Sequence, residues 1–184
     1  MEGVVFMKFD YLKKYVRTEP DYPEKGVMYR DITTVLKNRE IFKSTIDAMN
    51  ELLQDVDFDM VVSPDSRGHI FASPIAYLNS VGMEIARKPG KLPCETIEEQ
   101  YTLEYGTATL QMHKDAIEKG QKVVIIDDLM ATGGTIQAII KMIERLGGEV
   151  ACVCCFIELP ELNGREALKG YDVRSVISFN EDEV

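Results

Sequence analysis

Apolar residues along the chain follow two spacings, one typical of helices and one typical of buried strands. Helical spacing predicts helices over residues 38–54, with Asn38 as N-cap, 70–78 and 135–146. Short, continuous apolar runs predict strands over residues 59–63, 82–86, 123–126, 149–157 and 173–179. Residues 87–106 are polar and charged, which predicts a long irregular segment or a hairpin. Because helices and strands alternate, we expect an α/β fold with a mainly parallel sheet.

The strand over residues 123–126 leads directly into two carboxylates and then into a glycine-rich loop before the next helix. Open α/β sheets bind their ligands at the carboxyl ends of the strands. Successive backbone N–H groups of this loop can surround a phosphate, and the positive end of the following helix dipole adds to the attraction. The loop predicted to bind phosphate consists of Ala131, Thr132, Gly133, Gly134 and Thr135.

The acidic pair, Asp127 and Asp128, narrows the choice of ligand. Carboxylates next to a phosphate would repel it unless they bind another part of the same molecule. Because a carboxylate accepts hydrogen bonds, the pair suits the vicinal hydroxyls of a ribose. The loop lacks the G-x-x-x-x-G-K-[ST] pattern of a Walker site. We therefore expect a ribose 5-phosphate unit as the ligand.

Composition limits the function classes. A chain of 184 residues fits one domain spanning residues 1–184. The chain has 21 basic and 31 acidic residues, which give a net charge of −10. Proteins that bind nucleic acid are normally basic, so nucleic acid is a poor candidate partner. No apolar run approaches the length of a membrane span, and residues 4–7 are too short for a signal-peptide core, so we expect a cytoplasmic protein.

The cysteines indicate packing rather than metal binding. Cys152, Cys154 and Cys155 lie within an apolar run, where cysteine acts as a small hydrophobic residue, and Cys94 stands apart. Their spacing lacks a second pair of ligands for zinc. We therefore predict neither a metal site nor a disulfide among them.

A second anion site is needed if the ribose phosphate donor carries a pyrophosphate. Arg67 and Gly68 follow the strand over residues 59–63 and precede a helix, where an arginine can bind phosphate oxygens bidentately. A capped helix start with a solvent-facing arginine explains the same residues equally well. Residues 87–93 concentrate three cations, a pattern that more often marks a solvated surface.

Residues 127–135 resemble the signature of the type I phosphoribosyltransferases. Together with residues 26–33, 65–68, 87–93 and 101–106, they occur in the order and spacing of the adenine phosphoribosyltransferases, over roughly residues 23–179. The resemblance implies a mainly parallel central sheet flanked by helices, a small N-terminal hood and a flexible lid hairpin. It also implies transfer of ribose 5-phosphate from 5-phosphoribosyl-1-pyrophosphate (PRPP) to adenine, giving AMP and pyrophosphate, with Mg²⁺ bound to the donor and a homodimer as the working unit.

The resemblance also implies roles for individual residues. The loop over residues 131–135 would bind the 5-phosphate, and Asp127 and Asp128 the ribose hydroxyls. The cationic residues expected at the pyrophosphate are Arg67, Lys88 and Lys91, with Lys91 donated across the dimer interface. The residues expected around the purine are Met28, Tyr29, Arg30 and Leu159. The residues expected to act in catalysis, within the lid, are Glu104 and Tyr105.

The chain departs from the family pattern at a few positions. Tyr29 stands where phenylalanine is usual, so its hydroxyl needs a partner or water. Lys25 replaces a proline, and Pro64 and His69 flank the arginine loop where glycine and phenylalanine are commoner. Two alternatives stay open: transfer to hypoxanthine, guanine or xanthine, and a non-catalytic regulator that senses PRPP.

Overall fold

The computed structural model describes residues 8–102, 106–180 and 183. Within these residues the strands and α-helices follow one another in this order: β1 (Arg17–Pro20), β2 (Met28–Asp31), α1 (Thr33–Leu36), α2 (Arg39–Glu51), β3 (Met60–Pro64), α3 (Gly68–Asn79), β4 (Gly82–Ala86), β5 (Thr96–Thr102), β6 (Thr107–His113), β7 (Lys122–Met130), α4 (Gly134–Leu146), β8 (Glu149–Glu158), α5 (Gly164–Ala167) and β9 (Val173–Ser178). Short 3-10 helices cover Asp10–Tyr15 and Pro160–Leu162.

The central sheet has five strands in the order β4-β3-β7-β8-β9, and every neighbouring pair is parallel. All five predicted strands and all three predicted helices are present, so the predicted α/β fold is confirmed. Since the strands are parallel, the segments that follow them all leave the sheet at one edge.

Strand β7 is longer than the sequence predicted. We expected it to end at Ile126, but it continues through the acidic pair to Met130. Asp127 still pairs with Cys155 of β8, and Met130 pairs with Glu158. The backbone ladder does not depend on side-chain charge, so the carboxylates extend the strand instead of ending it.

The core lies on both faces of the sheet, and successive residues of β7 alternate between its two sides. Val124 and Ile126 pack into the cluster that contains Phe71 of α3. Val123 and Ile125 pack into the cluster that contains the buried isoleucines of α4. The three cysteines of β8 are fully buried in these clusters, as their apolar context predicted.

The helix ends also follow the sequence. Asn38 caps α2, because its Oδ1 accepts from the backbone N–H groups of Glu40 and Ile41 at 3.2 and 3.3 Å. Helix α4 ends at Leu146, where Gly147 adopts the left-handed conformation at φ 93°. No described helix is long and apolar enough to cross a membrane.

Two antiparallel hairpins lie outside the central sheet. Strands β1 and β2 pair near the N-terminus and form the small hood, which apolar spacing did not reveal. Strands β5 and β6 form an antiparallel hairpin. Only β5 lies within residues 87–106, where a hairpin was one of two predictions, because β6 begins at Thr107 beyond that segment. This hairpin is tied to α4, since Arg145 Nη1 donates to the carbonyl of Glu98 at 2.9 Å.

Candidate active site

A cleft of about 690 Å³ opens at the carboxyl edge of the sheet, beneath the β1–β2 hairpin. It is lined by most of the residues that the sequence singled out: Met28, Tyr29, Arg30, Arg67, Lys88, Asp127, Asp128, Ala131, Thr132, Gly133, Gly134, Thr135 and Leu159. Lys91 is exposed and does not line the cleft. Glu104 and Tyr105 lie outside the described residues.

The glycine-rich loop joins β7 to the start of α4. Gly133 precedes the helix with φ at +80°, a conformation that side chains rarely adopt. The loop is packed closely against α5, since a Cβ at Gly164 would lie only 2.4 Å from the carbonyl oxygen of Ala131. The shape of the loop backbone is therefore set both by its own glycines and by its contact with Gly164 of α5.

The acidic pair is buried at the bottom of the cleft. Asp127 and Asp128 are 7% and 4% exposed, and Asp127 Oδ1 accepts from the backbone N–H of Asp128 at 2.8 Å. Burial raises the pKa of both carboxyls, and the charge of Asp128 raises that of Asp127 further. The first turn of α3 approaches closely, because a Cβ at Gly68 would lie 2.9 Å from Asp127 Oδ1.

Arg67 connects the acidic pair to the hood. Its Nε lies 2.9 Å from Asp128 Oδ2 and forms an ion pair with it, but the two groups are not aligned for a hydrogen bond. Asp128 Oδ2 is therefore a buried acceptor that receives no hydrogen bond from any described residue. The Nη1 group donates to the hydroxyl of Tyr29 at 2.9 Å. The arginine therefore faces the cleft, and a solvent-facing helix start is wrong. The Asp65–Ser66 peptide just before it is cis.

Arg87, which the sequence treated only as one of three clustered cations, shapes the loop after β4. Its Nε donates to Asp65 Oδ2 at 3.1 Å, and its Nη1 donates to the carbonyl of Lys91 at 3.3 Å. These bonds join the segment that carries Lys88 to the segment that carries Arg67. Two loops with cationic side chains are thus held next to each other.

On the hood side, Tyr29, Arg30 and Leu159 line the cleft, but the Arg30 side chain is largely packed in the protein interior. Arg30 is 3% exposed, and its guanidinium carbon lies 4.2 Å from the centroid of the Phe179 ring. Burial lowers the pKa of its guanidinium. Leu159 is held by a hydrogen bond from its backbone N–H to the carbonyl of Met130 at 3.0 Å.

A buried ion pair beside Leu159 was missed from the sequence. Glu158 is 4% exposed and accepts from Arg165 Nε and Nη2 at 2.7 and 2.8 Å, and Ser175 Oγ donates to it at 2.5 Å. This bidentate pair fixes the segment after β8, from which Leu159 extends. The one available signal was a carboxylate at the end of an apolar strand, the same signal that marked Asp127.

Other cleft residues were assigned no role from the sequence. Leu129, Met130 and Ile136 are neighbours of predicted residues and follow from them. Tyr101 begins the 101–106 motif that carried the family resemblance, whereas Leu110 of the same β5–β6 hairpin had no signal of its own.

An acidic pair and a phosphate-type loop at the end of a central parallel strand, opposite a hood, form the arrangement of a type I phosphoribosyltransferase. The sequence matches the family described as the phosphoribosyl transferase domain over residues 31–183. It is 58% identical to the adenine phosphoribosyltransferase of Lachnoclostridium phytofermentans over 91% of this chain and 97% of that protein. The chain therefore belongs to the adenine phosphoribosyltransferase family.

Solved structures agree with this assignment. The adenine phosphoribosyltransferase of Thermoanaerobacter pseudethanolicus is similar, with a TM-score of 0.91, 47% identity, and coverage of 93% of this chain and 99% of that chain. The Saccharomyces cerevisiae enzyme, crystallised with adenine and an imino-altritol bisphosphate, has a TM-score of 0.86 at 31% identity, covering 93% and 99% of the two chains.

Proposed function

We propose that this protein transfers ribose 5-phosphate from PRPP to adenine, forming AMP and pyrophosphate in purine salvage. The observation that carries the proposal is that the acidic pair, the glycine-rich loop and Tyr29 line the same cleft. Family membership supports the same reaction. The alternative of a regulator without catalysis has no feature of the described residues in its favour.

The donor would lie along the carboxyl edge of the sheet. The backbone N–H groups of residues 131–135 bind the 5-phosphate, helped by the dipole of α4, a helix of 13 residues. Asp127 and Asp128 accept from the ribose hydroxyls, and the unsatisfied Oδ2 of Asp128 supports this role. Arg67 and Lys88 bind the pyrophosphate.

The purine would lie between Tyr29 and Leu159, at the hood side of the cleft. Backbone groups at Met28 read the adenine edge, whose 6-amino group donates a hydrogen bond where a 6-oxopurine accepts one. Arg30 acts indirectly, because its contact with Phe179 holds the strand that carries Met28 and Tyr29.

The reaction requires departure of pyrophosphate and development of positive charge on the ribose. The cationic groups stabilise the leaving group, and the cleft walls hold the base within reach of the anomeric carbon. Glu104 is proposed to stabilise the ribosyl cation or the proton of the base, and Tyr105 to close over the reacting atoms and exclude water. Both roles stay predictions.

Mg²⁺ is proposed to enter with the donor. This ion is usually bound largely through the phosphates of the substrate. Bound through the pyrophosphate of PRPP, it would neutralise charge on the leaving group.

A homodimer is proposed as the working unit, formed through the outer face of α3. Phe71, Ala72 and Ile75 on this helix pack into the core. The opposite face leaves apolar Ile70 at 38% and Tyr77 at 84% exposed. The exposure of Lys91 away from its own cleft supports donation to the cleft of a second copy.

Light scattering after size exclusion tests the dimer. We expect a dimer for the wild type and for Tyr11→Glu, which changes an exposed tyrosine elsewhere, and a monomer for Tyr77→Glu. A monomeric wild type would contradict the proposal.

We also propose a cytoplasmic location, supported by the use of three reduced cysteines as core residues.

The reaction is tested by incubating the protein with PRPP and Mg²⁺ and adding adenine, hypoxanthine, guanine or xanthine separately. We expect AMP from adenine and no nucleotide from the oxopurines. Product from an oxopurine would overturn the base assignment and leave the donor site intact. PRPP binding without any product would favour the regulator.

A further inference from the structure

The hydroxyl of Tyr29 joins the purine side of the cleft to the pyrophosphate side. It accepts a hydrogen bond of 2.9 Å from Arg67 Nη1, although the two residues are 38 positions apart. The guanidinium meets the tyrosine at its hydroxyl end, with the guanidinium carbon 5.5 Å from the ring centroid. The partner that this hydroxyl requires is therefore the arginine assigned to the leaving group.

Arg67 is held from two directions by different parts of the fold. Its Nη1 contacts β2 through Tyr29, and its Nε faces Asp128 of β7 at 2.9 Å. A guanidinium has five N–H donors in a fixed plane. The Tyr29 bond uses one of them and the Nε N–H lies beside Asp128, so the other three face neither partner and can bind an anion. Arg67 can therefore bind phosphate oxygens without releasing either partner.

Holding the side chain has an energetic consequence. The Arg67 side chain is 36% exposed, and a free arginine loses rotamer entropy when it is ordered by a ligand. A side chain that is already ordered loses less on binding, so preorganisation raises affinity. The hydrogen bond to Tyr29 helps to order the Arg67 side chain, and it uses none of the N–H groups that the ligand needs.

We propose that the Tyr29 hydroxyl is a positioning group for Arg67, so that affinity for pyrophosphate depends on a residue whose ring faces the purine. This inference rests on the proposed function. Tyr29→Phe keeps the ring and removes only the oxygen that accepts from Arg67. It therefore separates the two roles of this residue.

The test is calorimetric titration of the full chain with inorganic pyrophosphate in Mg²⁺, and separately with adenine. For Tyr29→Phe we expect the Kd of pyrophosphate to rise about threefold to tenfold, as for loss of one hydrogen bond of ordinary net strength, and the Kd of adenine to change less than about twofold. Tyr22→Phe is the matched control, since the Tyr22 ring packs edge-on against Tyr29 at 5.1 Å. Its two Kd values should stay at the wild-type level.

An unchanged pyrophosphate Kd in Tyr29→Phe would overturn the inference, and so would an equal loss for both ligands, because that indicates a disturbed hood. A second comparison uses Arg67→Gln, where adding Tyr29→Phe should weaken pyrophosphate binding no further. Independent losses in the two variants would also overturn it. Failure of the wild type to bind pyrophosphate would refute the proposed function itself, whereas normal wild-type binding with an unaffected Tyr29→Phe refutes only the positioning role.

Discussion

Substitution of Gly164 by alanine should damage the donor site although Gly164 is not assigned to any ligand. The added Cβ would lie 2.4 Å from the carbonyl oxygen of Ala131 and 3.2 Å from Met130 Cγ. Real Cβ atoms essentially never come within 3.0 Å of such a neighbour, so one backbone must move by at least 3.0 − 2.4 = 0.6 Å. Ala131 begins the glycine-rich loop, so whatever part of this movement its backbone takes displaces the N–H groups of the loop.

The expected size follows from the displacement. A misplacement of about 1 Å in a positioned site can cost about 100-fold in rate, so we expect the KM for PRPP to rise at least about tenfold. Overpacking costs about 1–3 kcal/mol, which corresponds to a fall of roughly 2–12 °C in Tm for a chain of this size.

The assay measures initial rates of AMP formation with PRPP varied at saturating adenine, together with thermal unfolding. Gly82→Ala is the matched control, because its Cβ would meet only the flexible thioether of Met60, at 3.2 and 3.3 Å. The control should keep the wild-type KM. A Gly164→Ala protein whose KM for PRPP lies within about twofold of wild type would refute the reasoning.

Three further predictions concern buried polar and thiol groups. Asp128→Asn should raise the KM for PRPP about tenfold or more in the same rate assay, because a neutral amide accepts weaker bonds from ribose hydroxyls and removes the ion pair with Arg67. Normal donor affinity would remove Asp128 from the site. Thiol labelling of the native protein should modify Cys94 quickly and spare the three buried cysteines. Burial raises the pKa of the Cys152 thiol to about 12 and that of the Cys155 thiol well above its usual value. Labelling of more than one thiol per native chain would contradict this expectation. Burial lowers the pKa of His69 below its unfolded value near 6.5, so the unfolded chain binds more protons there and stability falls as the pH drops below about 7. His69→Phe removes this penalty, and its Tm relative to wild type should be higher at pH 5.5 than at pH 7.5; the same difference at both pH values would show that His69 does not titrate on unfolding.

The acidic pair and the glycine-rich loop of the cleft could be predicted because they lie on one continuous segment. Residues 123–135 combine an apolar strand, two carboxylates and a glycine-rich turn, and each of these signals depends only on near neighbours. Parallel pairing then places the following loops at one edge, which is a consequence of fold class. The buried cysteines and the Asn38 cap are local in the same sense.

The end of β7 shows the limit of such local signals. Two adjacent aspartates suggested that the strand had ended, yet β8 supplies hydrogen-bond partners as far as Met130. Strand length there is decided by the partner strand, and the sequence around Asp127 contains no information about it.

The sequence by itself determined the α/β fold, the position of the acidic pair and the glycine-rich loop that follows it, because periodicity and turn chemistry act over a few residues. Only the tertiary structure decided that Arg67 meets Tyr29, that Gly164 supports Ala131, and that Lys91 lies away from its own cleft. These relations join segments tens of residues apart, and packing of the whole sheet sets their distances. Residue types alone do not encode such distances, so the coupling between the two sides of the cleft became visible only in three dimensions.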